Sequence, residues 1–252
     1  MTPNVTLEMG AVALSVSDLN RSCEYYENAI GLRPIERSAE SARLGAGERV
    51  LLELIEKPGA ALDPTAPGLF HFALLVPTRR DLGNVLKHLI ETRTPIQGVA
   101  DHIVSEALYL EDPDGHGIEI YRDRPRLDWK YSEDGSLKMA TLPLDAEGIL
   151  READPDETFE ALPTGTRMGH VHFQVSDLSR AEPFFTKTLG LEKMATMPRA
   201  LFLGADGYHH HVGANTWRTR GGAPRHKGSL GLEGVALHMP AHELAATNGR
   251  IG

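Results

Sequence analysis

GHVHFQVSD, residues 169–177, occurs a second time in altered form as GAVALSVSD, residues 10–18. The likeness holds at a constant offset of 159 residues and continues to a closing Gly-Leu pair at residues 31–32 and 190–191. In both copies the alternating apolar residues predict a strand, Asp-Leu begins a helix, and Gly-Leu ends it. The chain therefore contains an internal repeat whose unit starts with a strand followed by a helix.

A second, weaker pair extends the repeat to four units. GLFHFALLVP, residues 68–77, resembles GLEGVALHMP, residues 231–240, and a helical pattern follows each. After the first three helices, short apolar runs are separated by the Gly-containing turns GAG, DPDG and GADG, which predicts three further strands per unit. The sequence stops at Gly252 directly after the fourth helix, so we expect the fourth unit to be truncated.

Composition limits the classes of partner. At 252 residues and 41% hydrophobic content the chain is long enough for two packed domains. A net charge of −9 with no basic block argues against a nucleic-acid partner, and the lack of a long apolar run argues against a membrane partner. The single cysteine, Cys23, cannot form an internal disulfide, so a cytoplasmic location is expected.

The repeat also predicts the domain organisation. Residues 1–125 form an N-terminal half with units one and two, and residues 167–252 form a C-terminal half with unit three and the start of unit four. Between them, residues 126–166 are charged and contain proline, with a short helix expected near residues 147–153. We interpret this stretch as a connecting segment whose charges face solvent.

Two of the repeated strands carry histidines. Because side chains alternate along a strand, His170, His172 and Gln174 share one face, and His71 lies opposite Phe70 on the strand of unit two. A lone histidine on an apolar strand is more often a hydrogen-bonded core residue than a ligand. Without a partner, however, a buried imidazole is costly.

Glu119 offers one reason why histidines lie on predicted buried strands. It lies between Ile118 and Ile120 on a predicted buried strand, where a carboxylate needs a cation or strong hydrogen-bond donors. Together with His71 and His170 it supplies two neutral imidazoles and one carboxylate oxygen. This ligand set suits Fe(II) in oxygen chemistry, with Mn(II) as the alternative.

These segments, with DHIVSEALYLEDPDGHGIEIYRDRP and GYHHHVGANTW, resemble the vicinal oxygen chelate (glyoxalase/bleomycin resistance/extradiol dioxygenase) superfamily. Within it they are similar to bacterial catechol 2,3-dioxygenase-like enzymes. The resemblance implies an α+β fold in which paired βαβββ modules form open, eight-stranded cups. It assigns the metal to His71, His170 and Glu119. Since the equivalent positions in units one and four are Ala11 and Gly234, modules two and three must share one barrel.

The resemblance also implies roles around the metal. It places His210 at the acid/base position and Tyr109 where a tyrosine hydrogen-bonds the substrate oxygen. We further expect His102 and His209 to contact the substrate or support the site. If residues 209–211 form a strand, His210 faces one side while His209 and His211 face the other.

The function implied is extradiol cleavage of a catechol-type aromatic diol by O2, as in aromatic hydrocarbon catabolism. Trp217 and Asn215 are candidates for the pocket wall, or for packing between the halves. Two alternatives remain open: a metal-dependent lyase, isomerase or thiol transferase of the glyoxalase type, and a metal-free small-molecule binding protein. A homo-oligomer is compatible with the resemblance.

Overall fold

The computed structural model describes residues 6–251, within which the chain forms thirteen strands and five α-helices in an α+β arrangement. Module one consists of β1 (Glu8–Val16), α1 (Leu19–Tyr25), β2 (Arg33–Arg37), β3 (Ser41–Ala46) and β4 (Arg49–Glu56). Module two consists of β5 (Gly68–Leu75), α2 (Arg79–Glu91), β6 (Gly98–Asp101), β7 (Ser105–Glu111) and β8 (Gly117–Asp123). Next come α3 (Ala146–Glu152) in the connecting segment and module three, with β9 (Arg167–Gln174), α4 (Leu178–Pro183), β10 (Glu192–Met197), β11 (Ala200–Gly204) and β12 (Val212–Asn215). The chain ends with β13 (Gly231–His238) and α5 (Ala241–Ile251).

The helices of modules one, two and three begin where the sequence predicts. The side chains of Asp18 and Asp177 accept backbone N–H bonds at the start of α1 and α4. Thr78 and Asp81 form a reciprocal capping box at the start of α2. These local hydrogen bonds explain why the Asp-Leu pairs of the repeat mark helix starts.

The two Gly-Leu pairs end the helical segments, also as predicted. Both α1 and α4 continue into a wider π-type turn, Tyr26–Ile30 and Phe184–Thr188. The glycines that follow, Gly31 at φ 85° and Gly190 at φ 79°, take up the left-handed conformation that favours glycine.

The central sheet joins module two to module three. Its eight strands run in the order β10-β11-β12-β9-β5-β8-β7-β6, with β5 and β9 antiparallel at the middle. On either side, β5 pairs with β8 and β9 with β12, both in parallel. This curled half-barrel confirms the predicted fold and the shared barrel of modules two and three.

Module one pairs with the start of module four in a second sheet. Its order is β13-β1-β4-β3-β2, and β1 and β13 are antiparallel. Each sheet contains strands from both sequence halves. The domain boundaries at residues 125 and 167 therefore stay a prediction of how the sequence is organised. The predicted short helix of the connecting segment is confirmed by α3. Within residues 6–251, no helix combines the length and the apolar character needed to cross a membrane.

The alternation predicted for β5 separates the main core from the inside of the cup. Phe72 and Leu74 point into the large core beneath the helices. Ala73 and Leu75 lie on the other face and pack on Tyr121 of β8. His71 is on this second face, so its side chain points into the concave side of the curved sheet.

Candidate metal centre and substrate cavity

Three buried side chains from neighbouring strands meet on the concave face. Ala73 of β5 lies opposite Glu119 on β8 and opposite His170 on β9, and His71 precedes Ala73 by two positions. The Nε2 atoms of His71 and His170 each lie 3.0 Å from the same Glu119 oxygen, Oε2. The two nitrogens are 3.3 Å apart. Sequence-distant residues are thus brought together by strand register alone.

This geometry fits a shared divalent cation. One ligand atom from each of His71, Glu119 and His170 lies within 4.8 Å of the others, and all three residues are buried. If both imidazoles donated to Glu119, two N–H groups would converge on one oxygen, Oε2, from nitrogens only 3.3 Å apart. A divalent cation instead accepts a lone pair from each of the three donors.

The protonation states also favour a metal. Burial alone would raise the pKa of the Glu119 carboxyl, but His170 and His71 hold it well below its usual value. Burial lowers the pKa of His170 to about 4, against the opposing pull of Glu119. The cluster therefore presents a carboxylate and a neutral His170 imidazole, the forms that ligate divalent metals.

Tyr109 and His102 flank the cluster on the β7 side. Tyr109 lies opposite Glu119, and its hydroxyl is 2.7 Å from His102 Nε2. His102 Nδ1 is 2.8 Å from the carbonyl oxygen of Ala140. Because a carbonyl only accepts, Nδ1 carries the proton and Nε2 accepts from the tyrosine. Burial and the charge of Glu119 raise the pKa of Tyr109 well above its usual value, so its phenol stays protonated.

The run of three histidines differs from the prediction. The turn after β11 places Asp206 and Gly207 at positive φ, and β12 begins only at Val212. His209 and His210 therefore precede the strand, and the expected alternation of faces is wrong. Instead of pointing apart, their Nδ1 atoms lie 2.7 Å from each other.

His209 connects His210 to a carboxylate. Its Nε2 lies 2.8 Å from Asp123 Oδ1, at the end of β8. Since a carboxylate only accepts, His209 Nε2 carries a proton, and in a neutral His209 ring Nδ1 then accepts from His210 Nδ1. The remaining nitrogen of His210, Nε2, is then the unprotonated one. The structure thus contains a chain of hydrogen bonds, Asp123–His209–His210, that fixes the tautomer of His210.

Of these two histidines, only His210 lines the cavity. Its ring centroid is 4.1 Å from that of His170. Burial, with His170 and His209 nearby, lowers the pKa of His210 well below its usual value. His209 is fully buried and does not line the cavity, so of its two expected roles the structure favours support of the site over contact with substrate.

The cluster opens into a cavity of about 300 Å³. Beyond the metal-binding residues and their hydrogen-bonded neighbours, aromatic and methionine side chains dominate the wall: Phe70, Phe202, Trp217, Met139 and Met197. Phe70 was expected on the opposite face of β5 from His71. The register of the β5–β9 pair shifts between Leu69 and His71, and this β-bulge re-aims the Phe70 side chain into the cavity.

Part of the wall comes from the connecting segment, which was expected to be a solvated connection. Met139 and Thr141 line the cavity, and Leu137 is buried. The backbone of Leu142 bridges to Asp101 of β6, which holds the segment against the sheet. These residues were not predicted to line the cavity, although the alternation of positions 137, 139 and 141 was a usable signal for a strand-like segment.

The two candidates for the pocket wall separate in the structure. Trp217 lines the cavity. Asn215 lies behind it, fully buried, and its Oδ1 accepts the backbone N–H of Trp217. His172, which had no assigned role, also lines the cavity.

The cupped sheet of paired modules and its two-histidine, one-carboxylate cluster are typical of one class of protein. The chain belongs to that class, the glyoxalase/bleomycin resistance protein/dioxygenase superfamily, whose sequence profile matches residues 8–120. Catechol-2,3-dioxygenase of Bacillus subtilis (strain 168) is 43% identical over 240 residues, which are 93% of this chain and 84% of that protein.

Solved structures show the same fold. A putative dioxygenase from Bacillus subtilis superimposes with a TM-score of 0.62 at 12% identity, over 97% of this chain and 74% of that one. Glyoxalase I from Zea mays gives a TM-score of 0.56 at 18% identity, over 96% of this chain and 79% of that one. At these identities the likeness extends to the fold alone.

Proposed function

We propose that this protein is an extradiol ring-cleaving dioxygenase that acts with O2 on a catechol-type diol at a mononuclear Fe(II), with Mn(II) as the alternative ion. The observation that carries the proposal is the convergence of His71, Glu119 and His170 on one point inside the cavity. Three protein ligands leave coordination positions open for small molecules. A relative named catechol-2,3-dioxygenase at 43% identity supports the same activity.

In this proposal Fe(II) supplies a Lewis-acidic, redox-active centre for a diol and O2. The chain supplies proton transfer beside it. His210 is neutral, and its Nε2 is the nitrogen not committed to His209, so it accepts a proton from a diol hydroxyl. Because burial lowers the pKa of His210, a protonated His210 ring readily gives the proton back later in the reaction.

Tyr109 and His102 position the diol. The phenol of Tyr109 stays protonated and gives its proton to His102 Nε2, so the phenol oxygen is left to accept a hydrogen bond from a diol hydroxyl. His102 is itself held by the Ala140 carbonyl. The apolar wall around Phe70 and Trp217 limits water near the reacting groups.

The proposed partners are a small aromatic diol and O2. We place the enzyme in the cytoplasm, because its single cysteine, Cys23, is a buried free thiol suited to a reducing compartment. A homo-oligomer stays a prediction.

The test uses the full chain, loaded anaerobically with Fe(II) and then mixed with a panel of catechols in air-saturated buffer. We expect O2 uptake together with a yellow ring-opened product. Full iron occupancy without turnover of any catechol would overturn the proposal. Metal retention with isomerase, lyase or thiol transferase activity would favour the glyoxalase-type alternative, and failure to retain any metal would favour a metal-free binding protein.

A further inference from the structure

His172 is a buried polar residue that the proposed chemistry does not use. It follows His170 by two positions on β9, shares its face, and lines the same cavity. The residue is only 3% exposed, and its Nε2 has no hydrogen-bond partner among the described residues of the protein. A buried imidazole nitrogen left unpaired is unfavourable, so a ligand that pairs with the ring would relieve a cost.

The surroundings of His172 are aromatic. Its ring centroid lies 5.2 Å from that of Phe70, 5.4 Å from that of Trp217 and 5.7 Å from that of Phe202. These three side chains offer no partner to an imidazole nitrogen in this arrangement. His172 is therefore the polar group in an otherwise apolar patch of the cavity wall.

The position of the ring is built into the fold. Gly213 of β12 lies opposite His172 in the parallel β9–β12 pair. A Cβ at Gly213 would come within 2.7 Å of the His172 ring, so the glycine allows the imidazole to lie against the backbone of β12. A side chain seated in this way loses little further freedom when it binds a ligand.

His172 is also distinct from the metal cluster. The group of ligand atoms within 4.8 Å of one another consists of His71, Glu119 and His170. The His172 ring stands edge-on to that of His71, at 5.0 Å and 78°. It lies beside a metal ligand, on the wall of the same cavity.

We propose that His172 determines substrate specificity: it hydrogen-bonds an oxygen-bearing substituent on the ring of the diol, such as a hydroxyl, carbonyl or carboxylate group. The inference rests on the proposed function, because the diol at the metal is what carries the substituent to His172. A cavity of about 300 Å³ reaches the lower end of the range for drug-sized ligands, which leaves room for a ring and a short substituent.

The test compares two diols of nearly the same shape, 4-ethylcatechol and 3,4-dihydroxybenzyl alcohol, which differ by a methyl group in place of a hydroxyl. The corresponding 3-substituted pair is measured alongside. Dissociation constants are determined anaerobically on the Fe(II)-loaded full chain, and kcat/KM is measured separately in O2. In at least one pair we expect the wild type to prefer the hydroxyl compound, and His172→Phe to reduce that preference about five- to ten-fold.

Two further variants separate polarity from shape. Phe202→Leu changes the same wall without a polar group, so it is expected to alter the affinity for both members of a pair equally. His172→Gln keeps hydrogen-bonding capacity and is expected to keep part of the preference for the hydroxyl compound. If His172→Phe does not fold, His172→Gln serves as the test in its place. Equal affinity of His172→Gln for the two diols would then overturn the inference.

The outcomes distinguish this inference from the function beneath it. Absence of a hydroxyl preference in the wild type, or an unchanged preference in His172→Phe, overturns the specificity role and leaves the dioxygenase proposal standing. Loss of iron from His172→Phe would make His172 a metal ligand and also overturns the role. If no diol binds or turns over in the wild type, the proposed function fails and the inference fails with it.

Discussion

At the scale of single residues, two acceptors that cannot donate fix the protons of the site. The Ala140 carbonyl sets the tautomer of His102, and the Asp123 carboxylate sets that of His209 and, through it, His210. Both chains of hydrogen bonds end on the cavity. The cavity is thus lined by one group that keeps its proton, Tyr109, and by one imidazole with a free nitrogen, His210, a combination that suits acid–base chemistry.

Replacing His210 tests the proposed proton acceptor. The variant His210→Gln keeps a polar side chain but removes the basic nitrogen, so we expect kcat for catechol cleavage to fall about 10²–10⁴-fold. Iron per chain should stay at the wild-type value, because His210 is not one of the three clustered ligands. Steady-state O2 uptake and metal analysis on the same preparation give both numbers. An unchanged kcat would remove His210 from the chemistry.

Asp123 is expected to act on the reaction through two intervening histidine rings. In Asp123→Asn the amide can donate to His209 Nε2, which allows the proton order to reverse and leaves His210 Nε2 protonated. We expect kcat to fall about ten-fold near neutral pH and the pH profile to shift, with KM little changed. The control is Asp134→Asn, an exposed carboxylate of the connecting segment. Identical pH profiles for the two variants would argue against the hydrogen-bond chain.

At the scale of secondary-structure elements, the central strands depend on a close approach at Gly169. A Cβ at this position, at the start of β9, would clash with the hydroxyl of Tyr121. That hydroxyl is 2.7 Å from the hydroxyl of Tyr208, and the Tyr121 ring lies 4.9 Å from that of His170. Gly169 therefore sets the packing behind a metal ligand.

Gly169→Ala is expected to destabilise the protein by about 1–3 kcal/mol, because the methyl group overpacks a closely fitted core. Urea unfolding of the metal-free protein measures the change. Gly68→Ala at the start of β5, in the same sheet, is the matched control: nothing lies within 4 Å of its added Cβ, so its effect should stay below about 1 kcal/mol. Equal unfolding midpoints for the two variants would contradict the packing argument.

The elements that the sequence predicted are those specified by residues close together along the chain. The caps at Asp18 and Asp177 depend on residues a few positions away, so the repeat located both helices. The alternation along β5 and β9 placed each histidine on the less apolar face of its own strand. Strand register in the structure then brought His71, His170 and Glu119 together.

Other features depend on contacts that the sequence does not display. The bulge that turns Phe70 into the cavity arises from pairing with β9, a strand about a hundred residues away along the chain. The strand prediction for residues 209–211 assumed that the turn ends with the GADG cluster. In the structure the turn continues past this cluster and the strand begins only at Val212. His209 therefore lies behind His210, where hydrogen bonding to Asp123 determines its role.

At the scale of the whole molecule, the cavity belongs to neither half of the sequence. The antiparallel contact of β5 with β9 joins the halves at the centre of the larger sheet, and the connecting segment closes one wall. This construction buries several imidazoles in one region. Because these buried imidazoles are held neutral, the free energy of unfolding of the protein is expected to depend on pH.

We expect the metal-free protein to lose stability as the pH falls from about 6.5 toward 4. Burial lowers the pKa of His170 to about 4 and of His211 to about 3, from an ordinary value of 6.5. Below pH 6.5 the unfolded chain takes up protons that the native chain does not. The free energy of unfolding therefore falls by about 1.4 kcal/mol per pH unit for each such histidine.

Urea unfolding at pH 7, 6 and 5 measures this slope, and two variants calibrate it. His211→Asn removes one buried imidazole and should reduce the slope by about one proton. His242→Asn changes an exposed histidine and should leave it as in the wild type. A free energy of unfolding that stays constant between pH 7 and 5 would show that these histidines are not held neutral by the fold.

We expect His71, Glu119 and His170 to hold a single divalent ion inside the shared cup, and iron per chain after anaerobic loading and desalting measures this. The wild type should hold one iron per chain, and Glu119→Gln should lose nearly all of it while the circular dichroism spectrum of the metal-free protein stays unchanged. A correctly folded Glu119→Gln that retains one iron per chain would show that these three residues do not form the metal site.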